Sequence, residues 1–187
     1  LARLILGSSS PRRKELFRLL RIPFEIVPPE GVEENLSERY SEAELSELSH
    51  RKAQNVYLRR PNSIVVGADT VVVLDGFVLG KPSSVDEAFR MLSSLTGKTH
   101  SVYTSLSVVS EKIAFEFIEE TEVTFREVPE RVLREYAESG IALDKAGAYG
   151  IQDYGALFVK CITGDFYNVM GLPVGRLWQE LHSRGVE

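Results

Sequence analysis

The run Ile64-Val65-Val66-Gly67-Ala68-Asp69-Thr70-Val71-Val72-Val73-Leu74 dominates the chain. It is β-branched almost throughout, which suits an extended strand and crowds a helix. Its apolar residues are continuous rather than alternating, so the strand reads as buried on both faces, inside a sheet covered by helices. Asp69 interrupts it. A carboxylate in such a strand must be paired, coordinate a metal, or stay neutral through a shifted pKa. The strand does not end there, because Val71-Val72-Val73-Leu74 resumes at once, so Asp69 is read as functional. Gly67 lets another group approach the backbone closely.

Elements of both kinds surround this strand. Leu4-Ile5-Leu6 is a short buried strand, and Ser10 caps a helix with Pro11 at its first position. Leu16, Phe17, Leu19 and Leu20 form the inner face of that helix. Phe24 to Val27 is a second strand. Ser41 and Glu44 have capping-box spacing and open a helix that runs to Pro61. Asp75-Gly76 turns the long strand into a hairpin with Phe77-Val78-Leu79. A second capping box, Ser84 and Glu87, opens a helix that buries Ala88, Met91, Leu92 and Leu95 and stops at Gly97. Val102 to Val109 and Ile113 to Phe125 are long antiparallel strands. A helix from Pro129 buries Val132, Leu133, Tyr136 and Ala137. Strands follow around Phe158 and Val169, and a last helix from Pro173 buries Leu177, Trp178 and Leu181. The pattern predicts a mixed α/β fold with a long antiparallel component, and 187 residues suit one domain or two small lobes sharing a core.

Charge is unevenly placed. Residues 1–21 carry six cations against one carboxylate, whereas residues 30–49 carry seven glutamates against one arginine. Arg12, Arg13 and Lys14 fall in the first turn of a helix, where the partial positive charge of the N-terminus favours Asp and Glu. An arriving anion would offset that cost, since helix N-termini bind phosphate and arginines add bidentate contacts. Lys14 is read as a solvated neighbour. Lys52 lies four residues after Leu48 and four before Val56, so it points with the buried stripe. That spacing is equally compatible with a harmless snorkelling lysine and with a phosphate at the rim. Gly80 and Pro82 aim Lys81. Glu33-Glu34 is a loop pair that is either solvated or a source of one metal ligand.

Composition excludes several classes. The net charge of −5 argues against nucleic-acid binding through bulk charge. No apolar run reaches membrane-span length and no signal peptide precedes the first strand, which makes a cytoplasmic protein the expectation. One cysteine, Cys161, excludes an internal disulfide and a Cys-rich zinc site, and it is expected as a small core residue. Gly97-Lys98-Thr99 lacks the upstream glycine of a P-loop. His50, His100 and His182 show no metal-ligand spacing, and no histidine pattern supports a serine triad.

Taken together, the residues resemble one family, the Maf nucleotide pyrophosphatases, nearly end to end and in order. The pieces are Ser8-Ser9-Ser10-Pro11-Arg12-Arg13, Glu33-Glu34, Lys52-Ala53, Gly67-Ala68-Asp69-Thr70, Gly80-Lys81-Pro82 and Thr96-Gly97-Lys98-Thr99-His100. Asp144-Lys145-Ala146-Gly147-Ala148-Tyr149-Gly150-Ile151-Gln152 and Gly164-Asp165-Phe166-Tyr167-Asn168-Val169-Met170-Gly171-Leu172-Pro173 complete the series. The resemblance implies a single Maf-like domain over residues 1–187, with a Maf/ITPase-like mixed sheet and two lobes around a central nucleotide-binding cleft. It also implies an often dimeric protein that hydrolyses a nucleoside triphosphate to the monophosphate and pyrophosphate with a divalent metal, Mg²⁺ or Mn²⁺. Arg12, Thr70 and Gln152 match the branch acting on dTTP and UTP. Asp153 and Ser105 depart from the family pattern, where glycine is expected at both.

Mapped onto that chemistry, Ser8, Arg12, Arg13, Lys52 and Lys81 are expected to cradle the triphosphate. Asp69 is the expected general base on the attacking water and shares the metal with Glu34. Oxygen ligands suit such hard cations. Thr70 and Gln152 are expected to line the base pocket, where an amide can both donate to and accept from a pyrimidine edge. The family has also been linked to septum formation, so a nucleotide-binding regulator without turnover is the alternative.

Overall fold

The computed structural model describes residues 3–186. Seven strands form one mixed sheet: β1 (Arg3–Gly7), β2 (Phe24–Ile26), β3 (Ser63–Leu74), β4 (Phe77–Leu79), β5 (Thr99–Val109), β6 (Ala114–Phe125) and β7 (Val159–Thr163). The order is β2-β1-β3-β5-β6-β7, with β4 also on β3. β1 runs parallel to β2 and β3, and every other pairing is antiparallel. Among the described residues six α-helices accompany the sheet, α1 (Pro11–Arg18), α2 (Glu42–Arg59), α3 (Val85–Leu95), α4 (Glu130–Glu138), α5 (Phe166–Val169) and α6 (Val174–His182), with short 3₁₀ turns at Ile141–Asp144, Ala146–Ala148 and Tyr154–Phe158. Among the described residues no helix is long and apolar enough to cross a membrane.

The twelve residues of β3 organise everything else. On one face, Ile64, Val66 and Ala68 pack with Leu16 and Phe17 of α1 and Leu177 and Leu181 of α6. Further along the same face, Val72 and Leu74 pack with α3 and α4 through Leu92, Leu95, Leu133 and Tyr136. Thr70 lies at the seam between these two cores. The opposite face, Val65, Val71 and Val73, lies under Ala53, Val56 and Leu45 of α2. Period-two alternation therefore places Asp69 on the α2 face and Thr70 on the seam.

One edge of β3 is interrupted in step with this division. β1 accompanies it as far as Gly7 opposite Gly67, and β4 takes over at Val72 opposite Leu79. Neither strand covers Ala68 to Val71. The loop leaving β1 and the loop leaving β4 both empty at this gap.

Local chemistry accounts for most boundaries. Ser10 accepts from the Arg13 amide at 3.4 Å, Ser41 from Glu44 at 3.4 Å and Ser84 from Glu87 at 3.1 Å. Both capping boxes close differently from the expected pattern: Glu44 reaches back to the Ser37 amide (2.8 Å) and Glu87 to Ser83 (2.7 Å), not to the caps themselves. Asp75 and Gly76 both have positive φ, the signature of a tight hairpin turn.

Expectations for six residues are corrected. Val169 belongs to the one-turn helix α5, not a strand, because Asp165 caps that turn at the Tyr167 amide (2.7 Å) and the buried Asn168 amide bonds to Val102 O (3.0 Å). Leu19 is 57 % exposed because α1 ends at Arg18 and Leu19 is only its cap. Trp178 is exposed on α6, flanking the buried stripe of Val174, Leu177 and Leu181 and stacking on His182. Cys161 is exposed on the edge strand β7, where a register irregularity at Thr124/Phe125 breaks simple alternation. Met91 and Val132 are only partly covered.

Candidate active site

Gly67 sets the depth of the cleft floor. A Cβ added there would lie 2.6 Å from Ser49 O and 2.7 Å from the Ala53 amide, so α2 rides directly on the β3 backbone. That approach brings Lys52, one residue before Ala53, down beside the strand. Its Nζ lies 2.9 Å from Asp69 Oδ1 and 2.6 Å from Glu34 Oε1, and its side chain is 5 % exposed. A buried ammonium needs such partners, and here two carboxylates supply them. These two ion pairs exclude a free snorkelling chain for Lys52. Burial alone would raise the Glu34 carboxyl. The hydrogen bond and charge of Lys52, with Lys81 and Arg13 further off, outweigh burial and hold it below the ordinary carboxylate range. Lys81 is exposed, 3.8 Å from Glu34 Oε2.

Ser105, directly opposite Asp69 in the sheet register, helps to seat α2. Its hydroxyl lies 2.8 Å from that of Ser49, which itself donates to Ser46 O (2.9 Å). Ser105 is therefore the donor in the pair. Ser105 thus adds a buried hydrogen bond between β5 and α2.

Arg13 fills the gap in the edge of β3. Its guanidinium donates to Ala68 O (2.8 Å), Gly171 O (2.8 Å) and Thr70 Oγ1 (2.9 Å). Burial lowers its pKa while the charges of Asp69 and Glu34 raise it. Thr104 Oγ1 donates to Asn168 O (3.2 Å), so Thr70 donates to Thr104 (2.9 Å) and accepts from Arg13. The Thr70 hydroxyl is thus committed within the cleft wall.

Arg12 points the other way. Its guanidinium donates to Asp144 Oδ2 at 2.9 Å and to Asp144 O at 3.3 Å. It stands between two adjoining cavities. The larger, of about 280 Å³, is lined by Ser8, Arg12, Arg13, Glu34, Lys52, Asp69, Thr70, Lys81 and Tyr149 among others. The smaller, of about 220 Å³, is lined by Arg12, Lys145, Gly150 to Asp153, Val169 and Met170. The structure therefore brings Ser8, Arg13, Glu34, Lys52, Asp69, Thr70 and Lys81 together, and places Gln152 in the adjoining cavity on the far side of Arg12. Thr70 lines the larger cavity and Gln152 the smaller, and the two cavities share Arg12, Val169 and Met170. Behind the larger cavity, His100 Nε2 and Tyr149 Oη are 2.8 Å apart, and burial pulls His100 down to about 4.

Asp144 and Lys145 are the charged residues that the sequence argument passed over as part of a glycine-rich motif. Their adjacent opposite charges were the available signal. The donor set also bears on a metal. Asp69 and Glu34 offer oxygen ligands on either side of one ammonium, which fits a hard divalent cation. No cluster of three or more His, Cys, Asp or Glu among the described residues could hold an ion unaided. Remaining ligands would then come from phosphate oxygens and water, as is usual for Mg²⁺.

Comparisons with known proteins place the whole chain in one family. A family model described as Maf-like protein matches residues 3–184. A dTTP/UTP pyrophosphatase of Thermotoga maritima is 50% identical over 185 residues, covering 98% of this chain and 90% of the relative. One of Bacillus cereus is 48% identical over 180 residues, covering 96% and 94%. Among solved structures, a HAM1 protein from Coxiella burnetii aligns with a TM-score of 0.52 at 14% identity, covering 98% of this chain and 100% of that one, which speaks for the fold alone.

Proposed function

The chain belongs to the Maf family of Maf-like proteins, and from that premise we propose that it hydrolyses dTTP and UTP to the monophosphate and pyrophosphate. The observation that carries this reading is the Lys52–Asp69–Glu34 cluster beneath the N-terminal turn of α1. Phosphoryl transfer from a triphosphate needs positioned cations, an aligned water and a stabilised leaving group. This cleft offers the cations, and a carboxylate that can align the water.

In the proposed mechanism the Asp69 carboxylate takes a proton from a water as its oxygen attacks the α-phosphorus. The bond to the bridging oxygen breaks and pyrophosphate leaves. Lys52 holds the Asp69 carboxylate in place through its 2.9 Å contact and presents positive charge to the phosphates. Lys81, exposed at the mouth, reaches the departing β- and γ-phosphates as a mobile cation. Ser8 lines the same cleft and has its hydroxyl proton free to donate, because its oxygen accepts from the Ser10 amide at 3.2 Å. Arg13 spends most of its donors on Ala68, Gly171 and Thr70, so its contribution is fixed charge more than a flexible clamp. Glu34 and Asp69 are the residues that would hold a divalent cation, Mg²⁺ or Mn²⁺, which when bound neutralises phosphate charge. Arg12 and Gln152, which both line the smaller cavity, face the base.

The test is hydrolysis of a nucleotide panel with identification of products. UMP plus pyrophosphate from UTP, and TMP plus pyrophosphate from dTTP, are expected. Release of orthophosphate and a diphosphate would overturn cleavage at the α-phosphorus, and binding without turnover would reduce the protein to a nucleotide sensor.

A further inference from the structure

Asp153 anchors a chain of alternating charges that ends on Arg12. Its Oδ1 accepts from Tyr136 Oη (2.8 Å) and from the Gly155 amide (2.9 Å), which ties the carboxylate to α4 and to its own loop. Its Oδ2 lies 3.5 Å from Lys145 Nζ. Lys145 donates to Asp144 Oδ1 at 2.7 Å and to Ile141 O at 2.5 Å, and its side chain is 11 % exposed. The other oxygen of Asp144 receives Arg12. Asp144 thus divides its two oxygens between Lys145 and Arg12, and Lys145 sits between the two carboxylates.

The chain is packed as well as charged. A Cβ on Gly150 would lie 2.3 Å from Asp153 Oδ2 and 2.7 Å from Lys145 Cε, so the backbone there leaves room only for these two side chains. Lys145, a long and nearly buried ammonium, cannot relax into solvent without loss, and Asp153 is what holds it against the loop. Without the Asp153 charge, Lys145 is left with Asp144 and one carbonyl. It then competes more strongly for the Asp144 carboxylate or swings into the cavity that Gln152 lines. Either move changes where the Arg12 guanidinium rests between the two cavities.

We propose that Asp153 is a positioning residue for base selection, fixing Arg12 through Lys145 and Asp144 at the junction of the two cavities. The inference rests on the pyrophosphatase reading above. It makes Asp153 a determinant of which nucleotide is accepted, acting at a distance through three side chains and without touching the phosphates.

The experiment compares kcat/KM for UTP and CTP in the wild type, D153N, R12A and the double variant, with thermal melting of each. D153N keeps an acceptor for Tyr136 and Gly155, and replaces the carboxylate oxygen facing Lys145 with an NH2 that carries no charge and cannot accept from it. It should lower the UTP-to-CTP ratio about five-fold, the scale of one partly exposed ion pair, chiefly through KM. Because the effect passes through Arg12, D153N should not change the ratio further in the R12A background. K145Q carries the same expectation, so failure of D153N to fold does not shelter the idea. An equal D153N effect in both backgrounds, an unchanged ratio, or a uniform loss of kcat with a lower Tm for all nucleotides would overturn it. A wild-type protein inert toward UTP overturns the pyrophosphatase reading and this inference with it. An active wild type with an unmoved ratio overturns the inference alone.

Discussion

Lys52 and Asp69 stand on an eighteen-residue helix and a twelve-residue strand pressed together at Gly67, whereas Arg12, Asp144, Lys145 and Asp153 hang on a helix terminus and short 3₁₀ turns. The first group is held by backbone contact between two regular elements. The second is held by side chains holding one another. Groups that must meet a reacting atom gain from rigid elements, while groups that choose among ligands can sit on loops positioned by the scaffold. The two sides of the cleft should therefore fail differently: damage to the first should slow every nucleotide alike, and damage to the second should change their ranking.

The largest effect is expected at Asp69. Asp69→Asn should lower kcat by at least about 10³-fold for every nucleotide, the upper part of the range for a general base, with the fold retained but Tm lowered, because the buried Lys52 keeps only Glu34 as a charge partner. Near-normal turnover would remove Asp69 from the chemistry. Chelation of divalent cations by EDTA should likewise stop hydrolysis of all nucleotides, with recovery on adding Mg²⁺ or Mn²⁺; full activity in EDTA would exclude a metal requirement.

Next in size is Gly67→Ala. The new methyl has no room against Ser49 O and the Ala53 amide, so α2 must shift and carry Lys52 with it. A stability loss of about 1–3 kcal/mol is expected from overpacking, together with a fall in kcat common to all nucleotides. A variant that is destabilised but fully active would separate α2 packing from catalysis.

On the loop side, Gln152→Ala should leave kcat for UTP within a few-fold and lower the dTTP-to-GTP ratio of kcat/KM by about ten-fold, as for loss of one or two base hydrogen bonds. A uniform loss across nucleotides would erase the contrast between the two sides.

The effect that is smallest near neutral pH concerns acid. His100 is neutral in the folded protein down to about pH 4 and ordinary at 6.5 once unfolded. Between those values the unfolded chain binds the extra proton, so stability should fall as pH drops from 6.5 toward 4 and level off below. The slope from this one group is at most about 1.4 kcal/mol per pH unit. His100→Gln should flatten that limb in thermal melts taken across pH. Since Tyr149 bonds His100 and lines the cleft, acid should loosen the loop side first, read as a change in nucleotide ranking before kcat falls.

Much of this was legible from local pattern. The burial of β3 on both faces, the hairpin at Asp75-Gly76, the three serine caps and the oddity of Asp69 all follow from residues within a turn or two of each other. The resemblance of motifs spread along the chain supplied the reaction. Where local pattern misled, a distant partner was responsible. Val169 looks like a strand residue, yet Asn168 is bonded to backbone of β5 and β6 and bends the segment into α5. Arg12 and Arg13 look like a matched pair, yet their guanidiniums part company, one to Asp144 and the other to Ala68 and Gly171.

By itself, then, the amino-acid order determined most strands and helices and where they start, and that a buried carboxylate in the long strand demanded a partner. Those are consequences of periodicity, capping and desolvation, which act over a few residues. Only the tertiary structure decided which partner each charge received. The pairs Lys52–Asp69 and Arg12–Asp144 join residues 17 and 132 positions apart. Such choices depend on the depth at which α2 sits on Gly67 and on the path of the loop around Gly150, and close packing of the whole chain sets both.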